Sequence, residues 1–135
     1  ESDRLIMGNI DSLRDWGNAK DFVEGMWMIL QNDKPDDYVL ATGEMHSVRE
    51  FLENTLKVAK IEYKIVGKDE YEKFLTKDDK LIAEVDPQFY RPAEVHKLRG
   101  DCSLAEKELG WTRIYNFKDL VSKMYKNDYE QLKNK

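Results

Sequence analysis

A mixed α/β fold is predicted for this chain by three features: short apolar stretches of strand length, several runs with helical spacing that begin at capping residues, and no internal repeat. With 135 residues, 41% of them hydrophobic, the chain suits a single compact domain with its own core. A net charge of -5 with both signs interspersed leaves no basic face for a phosphate backbone, so nucleic acid is not an expected partner. Neither a leader nor an apolar run of about 18 residues stands out, so no membrane is expected either. The single cysteine, Cys102, allows no internal disulfide and fits a reducing, cytoplasmic setting as a small packing residue.

The elements follow in order. Leu5-Ile6-Met7-Gly8 has the composition of a short strand. Ala19 to Gln31 places Phe22, Val23, Met26, Trp27 and Leu30 on one helical face, which predicts a core-facing stripe, and Pro35 with Asp36-Asp37 closes this segment. Tyr38 to Thr42 reads as an apolar strand stopped by Gly43. Ser47-Val48-Arg49-Glu50 has capping-box spacing and opens a helix running to about Lys60, with Val48, Phe51, Leu52 and Leu56 inward. Ile61 to Val66 and Leu81 to Val85 alternate as strands, and the charged stretch from Lys68 to Lys80 is expected to be turns.

Pro87 and Pro92 bias the residues before them, Asp86 and Arg91, toward extended backbone, so Arg91 should project from a loop. Ser103-Leu104-Ala105-Glu106 is a second capping-box pattern, opening a helix that ends at Gly110. Asn116 caps a last helix bearing Phe117, Leu120, Val121, Met124 and Tyr125. Trp16, Trp27 and Trp111 are large enough to dominate packing, with Trp111 closing the preceding helix.

Two separated arginines and a carboxylate form the candidate site. Arg14, ahead of the helix at Ala19, is placed to meet anionic oxygens near that helix's N-terminus, or else pairs locally with Asp11 or Asp15. Arg91 and Glu94 are three residues apart, so they either serve a ligand or bridge each other. Arginine matches phosphate oxygens two at a time, and a carboxylate accepts both hydrogens of a ribose diol. His46 and His96 have no metal-ligand spacing around them, so no metal is expected. Ser47 and Ser103 are explained as caps, and no glycine-rich dinucleotide fingerprint occurs.

The runs Gly8-Asn9-Ile10-Asp11-Ser12-Leu13-Arg14-Asp15-Trp16-Gly17, Tyr38-Val39-Leu40-Ala41-Thr42-Gly43 and Ser47-Val48-Arg49-Glu50-Phe51 resemble the C-terminal part of the GDP-mannose 4,6-dehydratases, as do Arg91-Pro92-Ala93-Glu94-Val95, Gly100-Asp101 and Leu109-Gly110-Trp111. The resemblance covers essentially the whole chain. It implies the small substrate-binding part of an extended short-chain dehydrogenase/reductase, with the Rossmann domain and its NADP carried elsewhere. Asn18 stands where that family usually has histidine, and Arg113 where proline is expected.

The resemblance further implies that Arg14 and Arg91 hold the diphosphate of GDP-mannose and that Glu94 holds the ribose. No catalytic residue is assigned to this chain, since the family's proton-transferring groups precede the matching region. Residues 1-135 are therefore expected to be one nucleotide-sugar-binding domain of a longer, homo-oligomeric enzyme, with Tyr38 to Thr42 joining the edge of its Rossmann sheet. An epimerase or reductase acting on another nucleotide sugar, or a non-catalytic nucleotide-sugar-binding module, are the alternatives.

Overall fold

A computed structural model describes residues 4–91 and 97–134. In chain order it contains β1 (Leu5–Met7), β2 (Leu13–Arg14), α1 (Ala19–Gln31), β3 (His46–Ser47), α2 (Val48–Val58), β4 (Tyr63–Val66), β5 (Lys73–Thr76), β6 (Leu81–Val85), β7 (Lys97–Leu98), α3 (Ser103–Leu109) and α4 (Phe117–Lys133). The mixed α/β class is observed. The chain divides into two compact units, one from Glu1–Ser12 and Ser47–His96, the other from Leu13–His46 and Lys97–Lys135.

The first unit is built on a four-stranded sheet in the order β1-β6-β5-β4. β1 runs parallel to β6, and β5 is antiparallel to both β6 and β4. Helix α2 begins at Ser47, whose hydroxyl accepts from Glu50 N while the Glu50 carboxylate accepts from Ser47 N, as the capping-box spacing predicts. The helix lays Leu52 and Leu56 into a core with Ile10, Phe74, Ala83 and Val85. Phe74 has no exposed surface at all. The expectation of turns from Lys68 to Lys80 is therefore corrected, because β5 occupies its centre. Its short sequence, Lys-Phe-Leu-Thr, shows little alternation, and the burial of Phe74 between β4 and β6 supplies what the local pattern lacks.

In the second unit, β2 and β7 pair in parallel, with Leu13 opposite Lys97 and Arg14 opposite Leu98. The core contains Ala41, Cys102, Ala105 and Trp111, flanked by Phe22, Met28 and Leu40. Cys102 packs as expected, and burial pushes its thiol above the ordinary value, with Glu106 adding to the shift. α1 has the predicted bounds, and Asn18 caps it by accepting from Lys20 N. That cap gives Asn18 a physical use at the start of the helix.

Three further expectations are corrected here. Most of the α1 stripe does not face a core: Val23, Met26, Trp27 and Leu30 are 62%, 57%, 58% and 80% exposed, while Phe22 packs against the Trp111 cluster as expected. The side of α1 that packs closely is instead built on Asp21 and Gly25, with a hypothetical Gly25 Cβ only 2.8 Å from both Leu40 and Trp111. Tyr38 to Thr42 forms no ladder among the described residues, and the Thr42 and Gly43 amides are bound by the Asp15 carboxylate. Ser103 does not cap α3. Cys102 occupies the cap position without a side-chain bond, and Asp101 accepts from Ser103 N instead.

Candidate functional site

In the second unit, Arg14 emerges from β2, half-buried, with one guanidinium nitrogen donating to Leu13 O at 2.8 Å. It lines a cavity of about 370 Å³ together with Asp15, Phe22, Leu98 and Arg99. The Asp15 carboxylate accepts from Thr42 N at 2.9 Å and from Gly43 N at 3.0 Å, which ties the Arg14-Asp15 turn to the 38–43 segment. Asp11, the other local partner considered for Arg14, is engaged by Arg49 in the first unit. Gly100 completes the wall. A Cβ there would stand 2.3 Å from the Ala41 Cβ, so only glycine lets the two backbones approach this closely.

A second cavity of about 600 Å³ adjoins the first and shares Arg99 and Gly100 with it. Its lining includes the carboxylates of Glu44, Asp101 and Glu106 beside Thr42 and Cys102. Arg113 donates to the Glu44 carboxylate and holds it below its ordinary value of 4.5, while His46, 3.7 Å from the same group and stacked on Phe117, adds to the shift. Arg113 thus fastens the loop after Gly43.

Because Glu44's folded-state value is lowered, the pair's contribution is complete above pH 4.5 and is lost as pH falls through that lowered value. Arg113→Ala is expected to cost less than about 1 kcal/mol at pH 7, since the Glu44 carboxylate is half exposed. Thermal midpoints from pH 7 to pH 3 should show the variant and the wild type converging on the acid side. A gap that persists at pH 3 would mean that Arg113 acts through packing.

Arg91 lies in the first unit, exposed and outside any helix or strand, as the flanking prolines predict. Glu94 lies outside the described residues. Arg14 and Arg91 thus belong to different units. Asp15, Arg99 and Gly100 were not nominated from sequence as site residues. Arg99 had a usable signal, an arginine directly before Gly100-Asp101, whereas Asp15's bonds to two backbone amides have none.

A larger cavity of about 650 Å³ in the first unit is lined by Glu53, Lys57, Tyr63 and neighbours, and contains none of the nominated residues. A Tyr-x-x-x-Lys spacing occurs at Tyr129 and Lys133. Both residues are exposed near the end of α4, Tyr129 stacks on Tyr125, and neither lines the two cavities of the second unit.

Solved structures share the fold. The dTDP-glucose 4,6-dehydratase of Bacillus anthracis, in complex with NAD, superposes with a TM-score of 0.68 at 16% identity, over 95% of this chain and 34% of its own. RMD from Pseudomonas aeruginosa, complexed with NADPH, gives 0.67 at 20%, over 90% and 34%. The fold is that of part of an extended short-chain dehydrogenase/reductase.

The family model described as GDP-mannose 4,6 dehydratase matches residues 1–124, and the chain belongs to that family. The GDP-mannose 4,6-dehydratase of Vibrio cholerae serotype O1 is 46% identical over 94% of this chain and 37% of its own length. The human GDP-mannose 4,6 dehydratase is 47% identical over 94% and 34%. The chain therefore spans about a third of the length of these relatives.

Proposed function

We propose that this chain is the substrate-anchoring, C-terminal part of an enzyme that converts GDP-mannose to GDP-4-keto-6-deoxymannose. In this reading Arg14 and Arg91 neutralise the diphosphate and Glu94 accepts the ribose hydroxyls. The observation that carries it is Arg14, which stands on the wall of a cavity within an Arg-Asp-Trp-Gly turn whose aspartate is fully bound to backbone. Family membership over residues 1–124 supports the choice of ligand.

Fixing the nucleotide spends remote binding energy on aligning the hexose, which is how an anchoring part raises the rate of chemistry elsewhere. Bound NADP would supply the hydride acceptor and donor of a redox-neutral dehydration. The 135 residues contain no glycine-rich fingerprint to hold it, so its binding, and the proton transfers with it, are assigned to the remaining part of a longer polypeptide. That part, with the cytoplasmic setting and homo-oligomeric assembly, completes the proposal. The exposed face of Val23, Met26, Trp27 and Leu30 and the unladdered Tyr38 to Thr42 segment suit cover by it. The 135 residues alone are expected to turn over no GDP-mannose.

Calorimetric titration tests the anchoring role. GDP-mannose is expected to bind the full-length protein at least about tenfold more weakly after Arg14→Ala or Arg91→Ala, with NADP affinity unchanged and UDP-glucose a poor competitor. Unchanged GDP-mannose affinity in both variants would sink the assignment. Equal loss of NADP affinity would show that the substitutions act on folding.

A further inference from the structure

We infer that Asp15 is a positioning residue for Arg14, its carboxylate holding the turn that presents the Arg14 guanidinium to a diphosphate. This rests on the reading of the Arg14 cavity as the diphosphate's seat, and gives a second residue of its wall a function.

β2 is only two residues long and ends at Arg14, which faces Leu98 of β7. Strand pairing therefore stops at the residue that meets the ligand, and the turn that follows has to be fixed in another way. Three of its residues fix it. The Asp15 carboxylate accepts from Thr42 N with both oxygens, at 2.9 and 3.1 Å, and from Gly43 N at 3.0 Å. Trp16 Nε1 donates to His46 O at 3.0 Å. Gly17 packs so closely on Phe22 that a Cβ would stand 2.2 Å from the ring. Of these three, Asp15 alone both adjoins Arg14 in the chain and lines the cavity with it.

Charge makes the residue type at position 15 informative. Among the described residues Asp15 is the only carboxylate on that wall, and a bare negative charge there would oppose an incoming phosphate. Its oxygens are directed at two backbone amides instead, and it attracts Arg113, whose guanidinium it helps to keep charged. An asparagine of the same shape removes the charge, but it has a single acceptor oxygen, and its NH2 would face an amide donor. The two possible roles of Asp15 thus give Asp15→Asn opposite signs. If Asp15 acts only as a charge, its removal tightens anion binding. If it anchors the turn, its removal weakens binding, because Arg14 is no longer pre-set and must be ordered when the anion arrives.

The test titrates inorganic pyrophosphate, GDP and guanosine into the full-length protein, its Asp15→Asn, Asp15→Glu and Arg14→Ala variants, and the Arg14→Ala/Asp15→Asn double variant. Asp15→Asn is expected to weaken pyrophosphate and GDP about fivefold, with guanosine unaffected. Asp15→Glu keeps two acceptor oxygens on a longer stem and should bind both phosphates more tightly than Asp15→Asn. In the Arg14→Ala background Asp15→Asn should add nothing, since it acts through the arginine. Pyrophosphate binding that is unchanged or tightened in Asp15→Asn, while Arg14→Ala weakens it, overturns the positioning role and leaves the parent reading intact. Equal weakening in both backgrounds, or of guanosine as much as GDP, also overturns it, because the effect is then on the fold. Full affinity in Arg14→Ala, or no pyrophosphate and GDP binding by the wild type, overturns the parent reading and the positioning role with it.

Discussion

Trp111→Ala is expected to destabilise the second unit by about 3–5 kcal/mol, the range for removing a large aromatic from a closed core. Trp111 is 2% exposed and packs among Ala41, Cys102 and Ala105, with Phe22 stacked at a centroid distance of 6.2 Å. Its indole nitrogen donates to Asp21 O at 2.8 Å, and the Asp21 carboxylate accepts from Tyr115 N at 3.1 Å. One side chain therefore clamps the start of α1 to the segment after α3. Trp111→Phe keeps most of the packing but leaves a buried carbonyl unpaired, and should cost about 1–2 kcal/mol. Urea denaturation followed by the far-ultraviolet helical signal separates the two substitutions. A loss below about 1 kcal/mol for the alanine variant would mean that the cluster is not cooperative with the helices it joins.

The same clamp explains why part of the fold could be read from sequence and part could not. Elements whose signals are local were found. The capping box at Ser47, the Asn116 cap, Gly110 after α3 and the alternation of Leu81 to Val85 each act within a few residues. The α1 stripe was misread because periodicity reports that a helix has an apolar face but not what covers that face. The close packing of α1 instead depends on Gly25, which adds nothing to an apolar stripe, and on the distant Trp111, both invisible to a periodic pattern. β5 was missed because Phe74 is buried by strands on both sides, which a four-residue sequence cannot announce.

The candidate site divides along the same line. Arg14 was legible as a guanidinium in a specific turn, and Arg91 as a loop residue from its prolines. The fixing of that turn by Asp15, through amides 27 and 28 residues away, was not. In a sequence, Asp15 reads as a charge that competes for Arg14, whereas in the fold it is a structural acceptor. The place of Arg99 likewise depends on the approach of Gly100 to Ala41, a contact between segments about 60 residues apart.

Arg49→Ala is expected to destabilise the first unit by roughly 2–4 kcal/mol, because it leaves the Glu72 carboxylate buried without its partner. The Arg49 guanidinium spans two carboxylates. It donates to both oxygens of Glu72, at 2.5 and 2.7 Å, and to both of Asp11, at 2.7 and 3.0 Å. These bonds hold it more firmly in the charged form than an ordinary arginine, Glu72 contributing most. The Arg49 backbone N–H also donates to Ile10 O, so the N-terminus of α2 is joined to the 9–12 segment and to the turn before β5. Glu72 is 7% exposed and Asp11 lies on the surface, so most of the effect should come through Glu72. Arg49→Lys keeps the charge but cannot span both carboxylates, and should recover less than half of the loss. Arg49→Met combined with Glu72→Leu removes both buried charges and should recover most of it, because an apolar pair of similar volume avoids the desolvation cost. Thermal unfolding of the four proteins distinguishes these cases. If the double substitution is no more stable than Arg49→Ala, the network is needed for its directional bonds, and the stranded charge on Glu72 is not the cause of the loss.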